Sequence, residues 1–195
     1  MTAPLSTAAV LSAADDAARP VGRLAPLTLG DAICAPAATC ACAPRDNLAV
    51  HRLLQRAPSG AVLVVEAGGR ADGGYFGELA AIDALERGLK GLVIDGPIRD
   101  GRAVAALGFP VFHLGFEPAS CSKERALSVG EPVRISGVDV VPGDQVVADS
   151  DGVLVVQRAD WPAVEAAARG IEEREQELRD SLRAGTRLAD LLELP

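Results

Sequence analysis

The chain has 195 residues, of which 49% are hydrophobic and 24% charged, a composition typical of a globular protein with its own core rather than of a disordered chain. Its 27 acidic residues outnumber its 19 basic ones, and the formal net charge is −8. This balance argues against a nucleic-acid-binding or anionic-membrane surface, which would need a basic face. No run approaches the roughly 18 apolar residues of a membrane span, and we expect a cytoplasmic protein.

The cysteines and the N-terminal segment indicate no special chemistry. One residue separates Cys40 from Cys42, which is the spacing of neither a zinc site nor a thioredoxin motif, so we expect these two, Cys34 and Cys121 to be free thiols. Residues 1–26 are rich in alanine, and no basic segment precedes their short apolar stretch, so no signal peptide is expected. We predict a partly disordered N-terminal extension there.

From about residue 27 helical and strand patterns alternate, which predicts an α/β domain. A helix follows Asp46 and ends at Pro58, with its apolar residues on one face. The run AVLVVE at 61–66 is apolar on both faces, as in a buried parallel strand. The next predicted elements are a glycine-rich loop at 67–77, a helix at 78–88, a strand at 92–95, a short helix at 102–107 and a strand at 109–115.

Beyond residue 130 the pattern changes to short strands separated by turn signals, and we predict an antiparallel section of the same domain. A final helix is predicted at 162–184. Its apolar stripe demands an apolar residue at position 175, where the sequence has Glu175. A carboxylate in an apolar seam is costly unless it is paired or hydrated, so Glu175 either lies at the edge of the seam or serves a purpose.

Two strand ends bring together the residues that could carry chemistry. If strands 61–66 and 92–95 are neighbours in a right-handed βαβ unit, their carboxyl ends meet at one edge of the sheet, where open α/β sheets bind ligands. The start of helix 78–88 and the pair Arg99-Asp100 follow these strand ends. We therefore expect the helix start and the charged pair to converge in space.

The residue types at this edge favour one kind of reaction. Free backbone N–H groups of Gly77, Glu78 and Leu79 at a helix start suit a carboxylate, and Arg99 can donate two hydrogen bonds to carbonyl or carboxylate oxygens. Asp100 and Glu78 offer hard oxygen ligands, directly or through water, for Mg²⁺ or Mn²⁺. Such a site could bind a 2-oxo acid and stabilise the enolate formed when an adjacent carbon–carbon bond breaks.

Other interpretations of these residues remain open. Arg99 and Asp100 could form a surface ion pair or begin the next helix. Schiff-base aldolases use a lysine, and the chain has only Lys90, predicted at the opposite edge, and Lys123, so the metal-dependent route is favoured. The glycine-rich loop matches neither a P-loop nor a dinucleotide-binding fingerprint, and no cofactor-binding glycine motif of a methyltransferase is present.

Ordered segments across residues 27–188 resemble the RraA-like family, which includes the class II 4-hydroxy-4-methyl-2-oxoglutarate aldolases. The segments are DNLAVH at 46–51, VVE at 64–66, GEL at 77–79, GLVIDG at 91–96 with Arg99-Asp100, FPVF at 109–112, PGD at 142–144, AD at 148–149 and DGV at 151–153. The resemblance implies a single-domain layered α/β/β/α sandwich of the swivelling β/β/α type. It also implies a catalytic core at 27–160 and a C-terminal helical segment at 161–195 that packs on a neighbouring subunit.

The family's catalytic signature is an acidic residue, twenty intervening residues and an Arg-Asp pair, and Glu78 with Arg99-Asp100 has this spacing. By resemblance, Asp100 binds the divalent metal and Arg99 binds the substrate and the enolate oxygen. The backbone at 77–79 binds the pyruvyl carboxylate, and Glu78 reaches the metal through water, although the family often has aspartate there. Family members that regulate ribonuclease activity tend to lose the aspartate of the pair, which this chain keeps.

The resemblance also assigns Glu175 to the active site of a neighbouring subunit, which implies a homotrimer or a dimer of trimers. We therefore predict an Mg²⁺- or Mn²⁺-dependent lyase that cleaves 4-hydroxy-2-oxo acids to pyruvate, decarboxylates oxaloacetate, or does both, through a metal-stabilised pyruvate enolate. The alternative is a non-catalytic regulatory or binding protein on the same scaffold. We predict that His51 is a helix-surface or packing residue rather than a base, and that His113, near the site edge, is a candidate specificity element.

Overall fold

Strand β3 (Ile33–Cys42) lies at the centre of the main sheet in the computed structural model, which describes residues 4–22 and 24–192. From one edge to the other the sheet runs β1 (Ala18–Val21), β13 (Gly152–Val156), β12 (Gln145–Asp149), β3, β4 (Val62–Glu66), β5 (Leu92–Ile94), β7 (Val111–His113) and β2 (Ala25–Pro26), and β9 (Ala126–Val129) pairs with β3 as well. β3 therefore joins two kinds of sheet, because it pairs in antiparallel register with β12 and in parallel register with β4.

The parallel half of the sheet has the predicted βαβ arrangement. β4 pairs in parallel with β5, and β5 with β7. The connections contain α2 (Leu48–Arg56), α3 (Glu78–Glu86), β6 (Pro97–Ile98) and α4 (Gly101–Ala106). The helices cover one face of the sheet and bury an aliphatic core to which Phe76 and Phe109 add a stacked ring pair with centroids 5.8 Å apart. This packing fixes the carboxyl ends of β4 and β5 side by side.

The predicted antiparallel section is also confirmed. β12 and β13 form a hairpin, and β10 (Val133–Ile135) pairs with β11 (Val138–Val140) in a second one. The β10–β11 hairpin packs its apolar residues on the face of the sheet opposite the helices. A short parallel pair of β6 with β8 (Gly115–Phe116) completes the strands of the described residues.

Three elements, a helix and the strands β1 and β2, lie within the segment expected to be a partly disordered N-terminal extension. Helix α1 (Thr7–Ala13) begins after Ser6, whose hydroxyl accepts a hydrogen bond from the Ala9 N–H at 3.2 Å. β1 is an edge strand of the main sheet and pairs with β13. The helix buries its apolar residues against β12, β13 and α5 (Trp161–Arg183). Residues 1–3 and 23 lie outside the described part of the chain.

The long helix α5 has two dissimilar halves. Val164 and Ala168 in its first half are buried against the sheet and α1. From residue 173 onward most side chains are exposed, and α6 (Leu188–Leu191) after it is exposed as well. No helix among the described residues is long and apolar enough to cross a membrane.

Candidate active site

The structure brings together the helix start at Gly77 and the pair Arg99-Asp100. A β-carbon added to Gly77 would lie 2.7 Å from Asp100 Oδ2 and 3.0 Å from Arg99 Cγ, so a side chain at this position would collide with the pair. The Arg99 N–H donates to the Phe76 carbonyl oxygen at 2.9 Å, which ties the two loops together. The edge predicted from the strand ends therefore exists, and glycine permits the close approach.

The carboxylate of Asp100 has almost no partners within the described part of its own chain. Its backbone is left-handed, with φ of 57° and ψ of 29°, and although it directly precedes α4 its side chain makes no capping hydrogen bond. The side chain is 45% exposed, and its one partner within the described residues is Arg99 Nε, 3.4 Å from Oδ2. A hard oxygen donor that is strained into position and open to solvent fits a divalent metal or a polar ligand.

Arg99 is oriented by contacts on both sides. Its Nη1 donates to Ser120 Oγ at 2.7 Å, while its Nε lies beside Asp100. A β-carbon at Gly74 would lie 2.9 Å from Arg99 Cβ, so the glycine-rich loop also packs closely on the stem of this side chain. With 39% of the side chain exposed, the guanidinium still has N–H groups free for a ligand.

Glu78 and Leu79 form the exposed first turn of α3. Gly77 is the residue before the helix and provides no side-chain cap, so the N–H groups of the first turn have no acceptor within the helix. Among the described residues, the Glu78 side chain has no hydrogen bond or ion pair, and Leu79 is 78% exposed. This arrangement leaves positively polarised N–H groups pointing toward the Asp100 edge, which suits an anion.

The opposite wall consists of residues that the sequence did not assign to the site. The cleft has a volume of about 150 Å³. Of the predicted residues, Gly77, Leu79, Arg99 and Asp100 line it, whereas Glu78 does not. The lining also includes Asn47, His51, Ser120, Cys121 and Lys123. His51, predicted to be a helix-surface or packing residue rather than a base, lies in the wall of the cleft. Lys90 lines a different cleft beside Trp161, as its predicted position required.

The electrostatics of this wall exclude a nucleophilic thiol. Burial, with help from nearby carboxylates, raises the pKa of Cys121 to about 11, so its thiol is neutral at physiological pH. Burial lowers the pKa of His51, and the neighbouring Lys123 lowers it further against the opposing effect of Asp83. His51 is therefore a neutral imidazole at pH 7, and a thiolate–imidazolium pair does not form here.

Two polar atoms of the wall have no partner. Asn47 Oδ1 and His51 Nε2 are buried atoms for which the described residues provide no hydrogen bond. The other end of the Asn47 amide is committed, because Nδ2 donates to the Tyr75 carbonyl oxygen at 3.0 Å. Since buried polar groups are normally satisfied, these atoms mark where water or a bound ligand completes the site.

Glu175 and His113 are not part of this cleft within one chain. Glu175 Oε2 accepts a hydrogen bond from Arg179 Nη2 at 2.7 Å on the exposed half of α5. His113 is buried, with its Nδ1 2.7 Å from the Gly115 carbonyl oxygen and its ring edge-on to Phe116. Glu175 can fill its expected role only in the cleft of a second subunit. His113 can affect specificity only if a bound substrate extends beyond this cleft toward it.

The donor set of the site fits a hard cation that keeps most of its water. Within residues 4–22 and 24–192, no group of three or more His, Cys, Asp or Glu side chains converges to hold a metal ion. Asp100, with the exposed Glu78 at the start of α3, matches the habit of Mg²⁺, which is often bound by one or two carboxylates together with water and substrate oxygens. It does not match zinc, which takes three or four protein ligands.

The structure thus defines a mixed α/β protein whose single domain carries a candidate ligand cleft at the carboxyl ends of its parallel strands. The chain belongs to the RraA-like family, since the family model described as Aldolase/RraA matches residues 7–155. The predicted family and the mixed α/β fold class are therefore confirmed.

Similar proteins agree with this assignment. A Halalkalibacterium halodurans protein, provisionally named a 4-hydroxy-4-methyl-2-oxoglutarate aldolase, is 33% identical over 184 residues, which cover 92% of this chain and 88% of that protein. A solved structure of an uncharacterised Pseudomonas syringae protein superposes with a TM-score of 0.85 at 28% identity, covering 95% of this chain and 92% of the other. Streptomyces coelicolor RraAS2, described as an unusual member of the RNase ES inhibitor RraA family, superposes with a TM-score of 0.77 at 29% identity over 91% of each chain.

Proposed function

We propose that this protein is a divalent-metal-dependent carbon–carbon lyase. It cleaves 4-hydroxy-2-oxo acids of the 4-hydroxy-4-methyl-2-oxoglutarate type to pyruvate by a retro-aldol reaction, decarboxylates oxaloacetate, or does both. The observation that carries the proposal is the uncommitted carboxylate of Asp100, held against Gly77 and beside the Arg99 guanidinium. The name of the Halalkalibacterium halodurans relative supports it.

The cleft offers one binding group for each part of a 2-oxo acid. The N–H groups of Gly77 to Leu79, at the start of α3, donate to the carboxylate, and Arg99 donates to the 2-oxo oxygen. Lys123 on the opposite wall adds a second positive charge for an anionic substrate. Two cations and a helix start around a small cleft select a small dianionic acid over a neutral sugar or a nucleotide.

Mg²⁺ or Mn²⁺ would be held by Asp100, with Glu78 reaching it through water. When bound, the ion acts as a Lewis acid that draws electron density from the 2-oxo group. The chain contributes the rest through Arg99, which is already fixed by Ser120 and so needs no reorganisation as negative charge develops on the oxygen.

Both reactions produce the same enolate. In the retro-aldol reaction, a base removes the proton of the 4-hydroxyl, the C3–C4 electron pair moves to form the C2–C3 double bond, and the C4 fragment leaves as a carbonyl compound. In the decarboxylation, the same bond breaks and carbon dioxide leaves. Protonation of C3 then gives pyruvate in either case, and Arg99 stabilises the enolate oxygen until that proton arrives.

Glu175 supplies the carboxylate beside the catalytic water from a neighbouring subunit. The half of α5 that carries it projects from its own domain without burying its side chains, and the aliphatic residues Leu182, Leu188 and Leu192 near it are exposed. A surface of this kind is explained by burial against another copy of the chain. The proposed assembly is a homotrimer or a dimer of trimers.

A regulatory protein on the same scaffold is the second candidate, favoured by the similarity to Streptomyces coelicolor RraAS2. Such a protein would act through its surface and would not need a metal. The retention of Asp100 beside Arg99 favours the lyase, because a strained and exposed carboxylate has no evident use in a purely surface-mediated function.

The test is pyruvate release from oxaloacetate and from 4-hydroxy-4-methyl-2-oxoglutarate, with Mg²⁺ or with EDTA, for wild type and Asp100→Ala. Asp139→Ala is the matched control, since Asp139 is an exposed aspartate that also pairs with an arginine. Metal-dependent turnover that is lost only in Asp100→Ala supports the lyase. A folded wild-type oligomer without turnover on either substrate, and without calorimetric binding of Mg²⁺ and oxalate, would favour the regulatory alternative.

A further inference from the structure

Asp46 is a buried carboxylate that lies behind the cleft rather than in it. It is 3% exposed, and its oxygens accept hydrogen bonds from four donors. Oδ1 accepts from the Leu48 N–H at 2.9 Å, and Oδ2 accepts from Ser122 Oγ at 2.6 Å, the Glu124 N–H at 2.7 Å and the Arg125 N–H at 3.1 Å. Burial raises the pKa of this carboxyl group, but the four donors outweigh it and lower the pKa to about 2.

The four donors belong to the two chain segments that form the opposite wall of the cleft. Leu48 is the first residue of α2. Asn47 directly precedes this helix, and His51 lies in its first turn. The other donors flank Lys123, since Ser122 precedes it and Glu124 follows it. One oxygen of Asp46 therefore fixes the backbone on both sides of the cleft lysine, while the other fixes the helix that presents the histidine.

We propose that Asp46 is a positioning residue for the active site, which holds Lys123 and His51 in place side by side on the opposite wall of the cleft. A lysine side chain has four rotatable bonds, so its charge is placed accurately only if its backbone is fixed. The proposal rests on the proposed function for its effect on turnover, but the positioning itself can be tested without any activity.

The fold offers a way to separate positioning from plain structural support. Backbone hydrogen bonds from Asn47 N–H to the Ser122 carbonyl at 3.0 Å and from Ser122 N–H to the Arg45 carbonyl at 2.9 Å also join the two segments. They remain when the carboxylate is changed. Asp46→Asn should therefore fold with the loop attached, while the uncharged amide, which has one acceptor oxygen in place of two, holds the backbone at 124–125, beyond Lys123, less firmly.

The first readout is the titration of His51 followed by NMR, in a chain that has only two histidines. If Asp46→Asn releases Lys123 from the wall, the lysine no longer depresses the pKa of His51, which rises. Simple loss of the Asp46 charge would act in the opposite sense, because removing a nearby negative charge lowers a histidine pKa. The direction of the shift thus distinguishes the two explanations.

The variants form a double-mutant cycle. Lys123→Met should raise the pKa of His51, and the Asp46→Asn/Lys123→Met double variant should show no further rise over Lys123→Met alone. Asp144→Asn is the matched control, because Asp144 is also buried and accepts from Arg19, from the Val141 N–H and from the Arg158 N–H, but at the turn before β12. It should leave the titration of His51 unchanged.

The second readout is kinetic. With oxaloacetate and Mg²⁺, Asp46→Asn should lower kcat/KM by roughly 10- to 100-fold, as small misplacements of a binding group do. In the Lys123→Met background, Asp46→Asn should lower kcat/KM by less than threefold. Asp144→Asn, compared at a temperature where all variants are folded, should retain wild-type kcat/KM.

Three outcomes decide the proposal. A rise of the His51 pKa in Asp46→Asn that is absent in the Lys123→Met background supports it, even if wild type proves inactive, in which case the proposed function alone fails. An unchanged or lowered pKa of His51 in a folded Asp46→Asn overturns it. If Asp46→Asn does not fold, Ser122→Ala removes one of the three bonds to Oδ2, and the pKa of His51 must still rise for the proposal to stand.

Discussion

Asp46 and Asp100 show how differently one residue type is used on two sides of the same cleft. Each stands at the start of a helix, Asp46 two residues before α2 and Asp100 directly before α4. Asp46 is buried and accepts four hydrogen bonds, whereas Asp100 is half exposed, left-handed and beside a single arginine. A carboxylate saturated by its own chain has no capacity left for a ligand, and an unsaturated one in a strained conformation does.

The two halves of α5 repeat this contrast on a larger scale. The first half buries Val164 and Ala168 and is satisfied within the domain, whereas the second half exposes nearly all its side chains, Glu175 included. Exposed charged groups outside the packing of the domain therefore occur at the Asp100 edge and on distal α5. The comparison leads to a rule that mutations can test: changes at these exposed groups should impair function with little loss of stability, and changes at buried, satisfied groups should impair stability, whatever their effect on turnover.

The largest expected effect is that of Asp100→Asn. Turnover should fall by about 1,000-fold, because the charge that would hold the cation is lost. The melting temperature should change by less than about 4 °C, since asparagine tolerates the left-handed conformation and an exposed ion pair contributes little to stability. Calorimetric unfolding beside the activity assay checks both parts. A large loss of stability would show that Asp100 belongs with Asp46 among the structural carboxylates.

The next effect is that of Glu175→Gln, which should lower turnover by about 100-fold if this carboxylate serves the water of a neighbouring site. Glu173→Gln, on the opposite face of the same exposed stretch, should have little effect. The decisive measurement is the mixing of inactive Asp100→Asn and Glu175→Gln subunits after dissociation. A mixed oligomer contains some sites with both wild-type residues, so part of the activity should return. Mixing that restores nothing would place Glu175 outside the neighbouring site.

The elements around the cleft could be predicted because their sequences follow the simple rules of burial. The runs at 61–66 and 92–95 are apolar on both faces, and the helix at 78–88 starts after a glycine and ends near another, so β4, β5 and α3 were predicted close to their observed bounds. The right-handed crossover rule then places Gly77 beside the Arg99-Asp100 pair, as the structure has it.

The longest strand and the far wall could not be predicted, for physical reasons. β3 has the sequence ICAPAATCAC, whose alanines, cysteines and proline lack strand propensity and periodicity, and its stability comes from pairing on both sides. Lys123 lies in a loop without a regular pattern, and its position depends on hydrogen bonds to Asp46, a residue 77 positions earlier. Short-range patterns contain no information about such a contact.

A smaller effect, this one on stability, is expected from Asp46 in acid. The folded pKa of about 2 lies below the ordinary value of 3.8, so the charged carboxylate stabilises the fold above about pH 4, and this contribution is lost as the pH falls toward 2. Urea unfolding at fixed protein concentration should show wild type more stable than Asp46→Asn at pH 6, with a difference that shrinks below pH 4. A difference that stays constant from pH 6 to pH 2.5 would contradict the depressed pKa.

The smallest expected effect is that of Cys121→Ala, although this residue lies in the cleft. Burial raises the pKa of the thiol to about 11, so almost none of it is thiolate at pH 7 and it is a poor nucleophile. A β-carbon at Gly73 would lie 2.7 Å from its sulfur, which identifies Cys121 as a tightly packed filler under the glycine-rich loop. Turnover of Cys121→Ala should therefore remain within about threefold of wild type, while the lost packing lowers the free energy of unfolding by roughly 1–2 kcal/mol. Rapid alkylation of Cys121 at pH 7 with loss of activity would contradict this prediction and show that the thiol is reactive.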